Sequence, residues 1–117
     1  MNKITFIGYP KCSTCKKAYQ TLEDLGIHAE YRDITKENPT VDEIKSWIDR
    51  GVELKQLFNT SGQLYRKLDV KTKRQTYSDD QLIELLASDG MLVKRPIGVS
   101  DDTIIIGNRP DAYATLK

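Results

Sequence analysis

Cys12 and Cys15 are the residues whose type and spacing could carry chemistry. They stand three apart in Tyr9-Pro10-Lys11-Cys12-Ser13-Thr14-Cys15-Lys16-Lys17, and the chain has no other cysteine. A short apolar run precedes them and a helical pattern follows. Unsatisfied backbone N–H groups at a helix start point toward a residue placed there, and the macrodipole adds partial positive charge. Lys11, Lys16 and Lys17 add full charges nearby. All of these favour thiolate over thiol, so the Cys12 pKa is expected to be depressed. Cys15 lies one helical turn further in. Helical residues three apart have Cα atoms roughly 5 Å apart, within disulfide range. Cys12 then reads as the attacking thiolate and Cys15 as the resolving thiol.

Two other readings stand beside that one. Cys-x-x-Cys supplies half of a tetrahedral zinc site. The chain offers one histidine, His28, and no further cysteine, so a complete site is missing and no metal is expected. A pair of inert buried thiols is the other reading, because free cysteine is often buried. The lysine-rich surroundings and the preceding Pro10 argue against burial.

The elements that must position this pair can be read along the chain. Lys3–Tyr9 is apolar and β-prone, and Pro10 ends it. Ser13–Leu25 has Ala18, Leu22 and Leu25 at helical spacing, with Gly26 as a stop. Ile27–Ile34 reads as a second strand, parallel to the first in a β-α-β unit. Thr40 and Glu43 form a capping box for a helix through Ile44, Trp47 and Ile48 that stops near Gly51. Leu54–Phe58, Gln63–Leu68 and Asp79–Ser88 read as short helices, and Met91–Val93 as the end of the last. Ile97–Val99 and Thr103–Ile106, separated by Ser100-Asp101-Asp102, give a hairpin signal. Arg109-Pro110 opens a final helix with Ala112, Tyr113 and Leu116. The expected fold is one α/β domain over 1–117, of thioredoxin type. Its β-α-β and β-β-α halves are separated by an all-helical insertion at roughly 40–90.

Size and charge bound the function. A chain of 117 residues makes one domain with a real core. Its 18 basic and 17 acidic residues leave a net charge of +1, which gives no global attraction to nucleic acid or an anionic membrane. Lys71-Thr72-Lys73-Arg74 reads as a solvated loop, since no aromatic residues interleave it. The N-terminal apolar stretch is too short for a signal peptide and no transmembrane segment is present. The chain therefore reads as cytoplasmic, where thiols are kept reduced and a close pair is catalytic, sensing or metal-binding.

Arg95-Pro96 is the second feature. The thioredoxin type places a cis-proline before its third strand, and Pro96 stands just before Ile97–Val99. Arg95 could offer a guanidinium fork to an oxyanion or carboxylate. Arg109 precedes another helix start, and Arg66 reads as surface. Trp47 shares a helix face with Ile44 and Ile48 and reads as core. His28 reads as a strand-edge residue.

The cysteine motif, Asn59-Thr60-Ser61-Gly62 with Tyr65-Arg66-Lys67-Leu68, and Leu92-Val93-Lys94-Arg95-Pro96-Ile97 together resemble the ArsC/Spx family over essentially the whole chain. In the family's glutaredoxin-linked arsenate reductases, a cysteine at the helix start attacks arsenate and three arginines hold the oxyanion. The resemblance puts Cys12 in the place of that cysteine, Arg95 in that of the arginine before the cis-proline, and Arg109 in that of the last arginine. Ser61 falls where the first arginine is called for. The reductases follow the cysteine with Gly-Thr-Ser-Arg, where this chain has Ser13-Thr14-Cys15-Lys16. The Cys-x-x-Cys is instead similar to Spx regulators, whose thiol pair is a redox switch. These bind the C-terminal domain of the RNA polymerase α subunit, using a glycine near a helix end that Gly51 could match. They also carry a charged C-terminal extension, whereas this sequence stops at Lys117. The resemblance thus implies a monomeric thiol–disulfide oxidoreductase of arsenate reductase type, with weak or no arsenate turnover. It would need no cofactor, and thioredoxin, glutaredoxin or glutathione would serve as reductant. An Spx-like regulator is the alternative.

Overall fold

A computed structural model describes residues 4–60, 62–101, 103–107 and 109–116. Ser61 and Asp102 lie outside the described residues. In chain order the elements are β1 (Thr5–Gly8), α1 (Ser13–Asp24), β2 (Glu30–Asp33), α2 (Val41–Asp49), α3 (Gln63–Lys67), α4 (Val70–Thr76), α5 (Asp79–Ser88), β3 (Ile97–Val99), β4 (Ile104–Ile106) and α6 (Pro110–Ala114). Short 3-10 turns lie at Leu54–Leu57 and Gly90–Leu92. The chain divides into two compact units. The first joins residues 1–34 to 95–117, and the second is 35–94.

The first unit is built on a four-stranded sheet in the order β2-β1-β3-β4. β1 runs parallel to β2, with Phe6 opposite Tyr31 and Gly8 opposite Asp33. It runs antiparallel to β3, with Ile7 opposite Ile97, and β3 pairs antiparallel with β4. A parallel pair needs a crossover, which α1 supplies. Its apolar stripe of Cys15, Ala18 and Leu22 packs with Ile4, Phe6, Ile27, Ile105 and Tyr113 in one buried cluster. This is the expected β-α-β then β-β-α arrangement.

β2 is shorter than the sequence suggests, and the end of α1 explains why. Gly26, at φ +75°, donates to Glu23 O, and Ile27 N–H donates to Leu22 O, both at 2.9 Å. This is a Schellman ending, with Ile27 and Leu22 closing the apolar contact. Ile27 N–H is spent on the helix. The strand ladder begins only where Glu30 N–H meets Ile4 O.

The second unit is helical. Thr40 and Glu43 form the capping box of α2, and Ser78 and Gln81 form another at α5. α2 packs on α5, with Ile44, Trp47, Leu82, Ile83 and Leu86 buried. Gly51, at φ +105°, ends α2 in the same way that Gly26 ends α1: it donates to Ile48 O while Val52 donates to Trp47 O. Two readings from the sequence are corrected here. Lys71–Arg74 is helical, within α4, and not a loop. Its N-cap, Asp69, is in the left-handed region with no side-chain cap, and Val70 alone is buried, so the segment carries no start signal and no apolar period. Arg74 donates to Tyr65 Oη at 3.0 Å and lies 5.5 Å from the Phe58 ring centroid. Met91–Val93 is not the end of α5. Asp89 breaks away in extended backbone and caps a separate 3-10 turn, and Val93 bridges Phe58.

Tyr113 fixes α6 to the sheet. Its ring is fully buried and its hydroxyl donates to Gly107 O at 3.0 Å. A Cβ at Gly98 would lie 2.7 Å from Tyr113 Cε1. We expect Gly98→Ala to destabilise the protein by about 1–3 kcal/mol, because a buried, hydrogen-bonded ring cannot step aside cheaply. The check is the urea midpoint against wild type; an unchanged midpoint would show that the ring relaxes freely.

Candidate active site

The C-terminal end of β1 leads through Tyr9-Pro10-Lys11 into α1. Cys12 N–H closes this turn onto Tyr9 O at 2.9 Å, and Cys12 O accepts from Lys16 N–H at 3.1 Å as α1 begins. Cys12 is the N-cap, and its Sγ accepts the Cys15 N–H at 3.2 Å. Ser, Thr, Asp and Asn usually fill this position; here a sulfur caps the helix. Cys12 is half-buried, while Cys15 is 0% exposed and belongs to the core under α1. Both are free thiols in this structure.

Environment separates the two. Burial pushes the Cys12 thiol up, but it is outweighed by hydrogen bonds from the Cys15 side chain and N–H, the Arg95 charge and the Thr14 N–H. The net result is a pKa below the ordinary value. For Cys15, burial first and then the hydrogen bond it gives to Cys12 push the pKa up to about 12. The cation acting on both thiols is Arg95. Lys11, Lys16 and Lys17, expected from the sequence to supply that charge, are exposed.

Arg95 and Pro96 enter the same unit at the start of β3. Their peptide bond is cis, as the fold analogy implies. Pro96 is buried and its carbonyl accepts from Gly107 N–H at 2.7 Å. The Arg95 guanidinium lies 5.5 Å from the Tyr9 ring centroid. Its Nε and Nη1 are buried without a hydrogen-bond partner. Tyr9, Cys12, Cys15, Arg95 and Pro96 are thus brought together. Arg109 is the N-cap of α6, with an exposed side chain that makes no capping bond. Ser61, matched to the reductases' first arginine, lies outside the described residues.

Two residues near the thiols carry no sequence signal. Tyr31 on β2 packs its ring on Phe6 and Tyr19, with centroids 5.5 and 5.2 Å away. Gly8 lets these side chains approach β1 closely: a Cβ there would lie 2.9 Å from Phe6 Cε1, 3.0 Å from Tyr31 Oη and 3.4 Å from Cys15 Cβ. Only the β1–β2 register, Phe6 opposite Tyr31, brings these together. Among the described residues, no group of three or more His, Cys, Asp or Glu is placed to hold a metal ion. No helix among them is long and apolar enough to cross a membrane.

A thioredoxin-type sheet with a Cys-x-x-Cys at the first helix start and a cis-proline before the third strand defines the class of fold and site. The chain belongs to the ArsC family, whose model matches residues 7–116. It is 41% identical to the uncharacterized protein YusI of Bacillus subtilis, over 94% of each chain. It is 28% identical to the global transcriptional regulator Spx of Staphylococcus epidermidis, over 92% of this chain and 82% of that one. The solved structure of an arsenate reductase from Vibrio cholerae superposes with a TM-score of 0.85 at 25% identity, covering 98% of each chain.

Two outcomes follow from the electrostatics. In a Cys15→Ser background, the pH midpoint of Cys12 alkylation is expected below the free-thiol value of roughly 8.5. Arg95→Gln should raise that midpoint, since removing a cation disfavours the thiolate; a midpoint that stays put would discount Arg95. The second concerns stability. The folded pKa of Cys15 is raised above its unfolded value, so its contribution is whole below about pH 8.5 and is lost as pH climbs toward about 12. Urea-derived stability should therefore fall between pH 9.5 and 11. The fall should be shallower in Cys15→Ser, by at most roughly 1.4 kcal/mol per pH unit.

Proposed function

We propose that this protein is a thiol–disulfide oxidoreductase of the ArsC family, with Cys12 as nucleophile and Cys15 as resolving thiol. One observation carries the reading: Cys12 Sγ caps α1 and takes the Cys15 N–H at 3.2 Å, with the Arg95 charge beside it, while Cys15 stays buried one turn further in. A thiolate held by charge and hydrogen bonds attacks a substrate sulfur or oxyanion centre. Cys15 then gives up its proton and displaces the product from Cys12, leaving an intramolecular disulfide. A thiol donor, whether thioredoxin, glutaredoxin or glutathione, returns the pair to the reduced state.

Arg95 supports an anionic substrate. A guanidinium with two buried, unpaired nitrogens carries a desolvation cost that a carboxylate or oxyanion relieves. Pro96 shapes the groove beside it. Arg109 is proposed as a further anion contact, reached from its exposed place at the α6 start. Arsenate itself is a poor fit, because Ser61 stands where the reductases have an arginine. Loss of one such donor commonly costs about a hundredfold or more in rate.

The regulator reading has support from the Spx relative, which matches over 92% of this chain. In that reading the disulfide controls binding to the RNA polymerase α C-terminal domain. Gly51 has a sufficient local reason for its identity, since it closes α2 at positive φ.

The deciding experiment oxidises the protein mildly, then follows turnover of a model disulfide and of arsenate with each donor. We expect a loss of two hydrogens in the peptide holding both cysteines. Disulfide turnover should disappear in Cys12→Ser, and Cys15→Ser should be trapped as a mixed disulfide. Arsenate turnover should be slow and should rise in Ser61→Arg. Failure to turn over any disulfide, together with oxidation-dependent capture of the polymerase domain, selects the regulator.

A further inference from the structure

One step of the proposed cycle places charge on the buried sulfur. When a donor opens the disulfide, Cys15 must leave as a thiolate from the core beneath α1, where burial disfavours its charge. The lysines of the motif are exposed, and the Tyr9 backbone and the Arg95 charge favour the Cys15 thiolate without offsetting its burial, so a further group that faces Cys15 across the sheet has a role left to fill.

One such group is present. Successive side chains of a strand alternate faces, so Phe6 and Gly8 of β1 point to the same side. Phe6 belongs to the cluster that contains Cys15. Tyr31, opposite Phe6 on β2, leans its ring on Phe6 and Tyr19. Its hydroxyl is thereby carried along the sheet toward position 8. A Cβ at position 8 would lie 2.9 Å from Phe6 Cε1, 3.0 Å from Tyr31 Oη and 3.4 Å from Cys15 Cβ, so glycine is what lets the ring, the hydroxyl and Cys15 crowd together at this point of the sheet. Tyr31 also lies in the electrostatic field of both thiols. Burial and then the Cys15 charge raise its pKa to about 12, so it keeps its proton at neutral pH and can donate.

We propose that the Tyr31 hydroxyl donates a hydrogen bond to the Cys15 sulfur as the Cys12–Cys15 disulfide opens. This rests on the redox reading given above. A dithiol donor's thiolate attacks Cys12 Sγ, and a donor–Cys12 disulfide forms as the Cys12–Cys15 bond breaks. The electron pair leaves on Cys15 Sγ, where Tyr31 O–H meets it, and Cys15 then takes a proton from water. The donor's second thiolate attacks its own sulfur in the mixed disulfide and releases Cys12 as thiolate. The donor is oxidised by two electrons and the cysteine pair is reduced by two. Tyr31 ends with its own proton.

The test is Tyr31→Phe, which keeps the ring and its packing and removes only the hydroxyl. Disulfide opening by dithiothreitol and by thioredoxin would be followed by stopped flow at pH 7. The expected result is opening on the order of tenfold slower or more, the loss of one hydrogen bond to a developing charge. The Cys12 alkylation midpoint and the equilibrium reduction potential should stay at wild-type values, because Cys15 is protonated in both reduced proteins. If opening runs at the wild-type rate, or if midpoint and potential move along with it, the assignment of Tyr31 is overturned while the redox reading stands. If no Cys12–Cys15 disulfide forms in wild type, the redox reading falls and this inference with it.

Discussion

The hydrogen bond from Cys15 N–H to Cys12 Sγ is the interaction on which the site depends. It closes the first turn of α1, so the atom that starts the helix is also the proposed nucleophile. A neutral thiol is a weak acceptor, and a thiolate accepts a charge-assisted bond. Helix start and thiolate therefore support each other. The macrodipole adds to both, because anions are favoured at a helix N-terminus. The turn that delivers Cys12 to this position is itself fixed by Cys12 N–H bonding back to Tyr9 O.

The same three-residue step sends the two sulfurs into different surroundings. Cys12 is half-buried at the cap, and Cys15 points into the cluster of Ile4, Phe6, Ala18, Leu22, Ile105 and Tyr113. Thiols that differ only in position thus shift in opposite directions, one lowered by hydrogen bonds and charge and the other raised by burial. Cys15 is a packing residue as much as a redox one. Its place depends on the aromatic layer of Phe6, Tyr19, Tyr31 and Tyr113 that fills the α1 side of the sheet.

Arg95 shows how a distant segment completes a local motif. It is separated from Cys12 by more than half the chain, and the β1–β3 pairing, Ile7 opposite Ile97, brings it back. The cis peptide to Pro96 and the Pro96 O bond from Gly107 hold that return. The Tyr9 ring receives the guanidinium on its face, and Nε and Nη1 are buried without a hydrogen-bond partner. The arginine charge acts where the lysines of the motif do not, because they stay in solvent, where attraction to the thiolate is screened.

Local signals in the sequence were enough for the elements whose physics is local. The capping box at Thr40, the glycines after α1 and α2, the Cys-x-x-Cys at a helix start and the proline before β3 all depend on residues within a few positions of one another. Such features are legible because helix ends and turns are satisfied by their own neighbours. Where those signals are missing, as at Asp69 before α4, the sequence shows no helix; where two elements compete for one N–H, as at Ile27, the apolar pattern runs longer than the strand. The tertiary structure alone decided which charge reaches the thiols, which cysteine is buried, and that Gly8 and Tyr31 face Cys15. Those outcomes depend on strand register and on burial, and both are set by contacts between segments far apart in the chain.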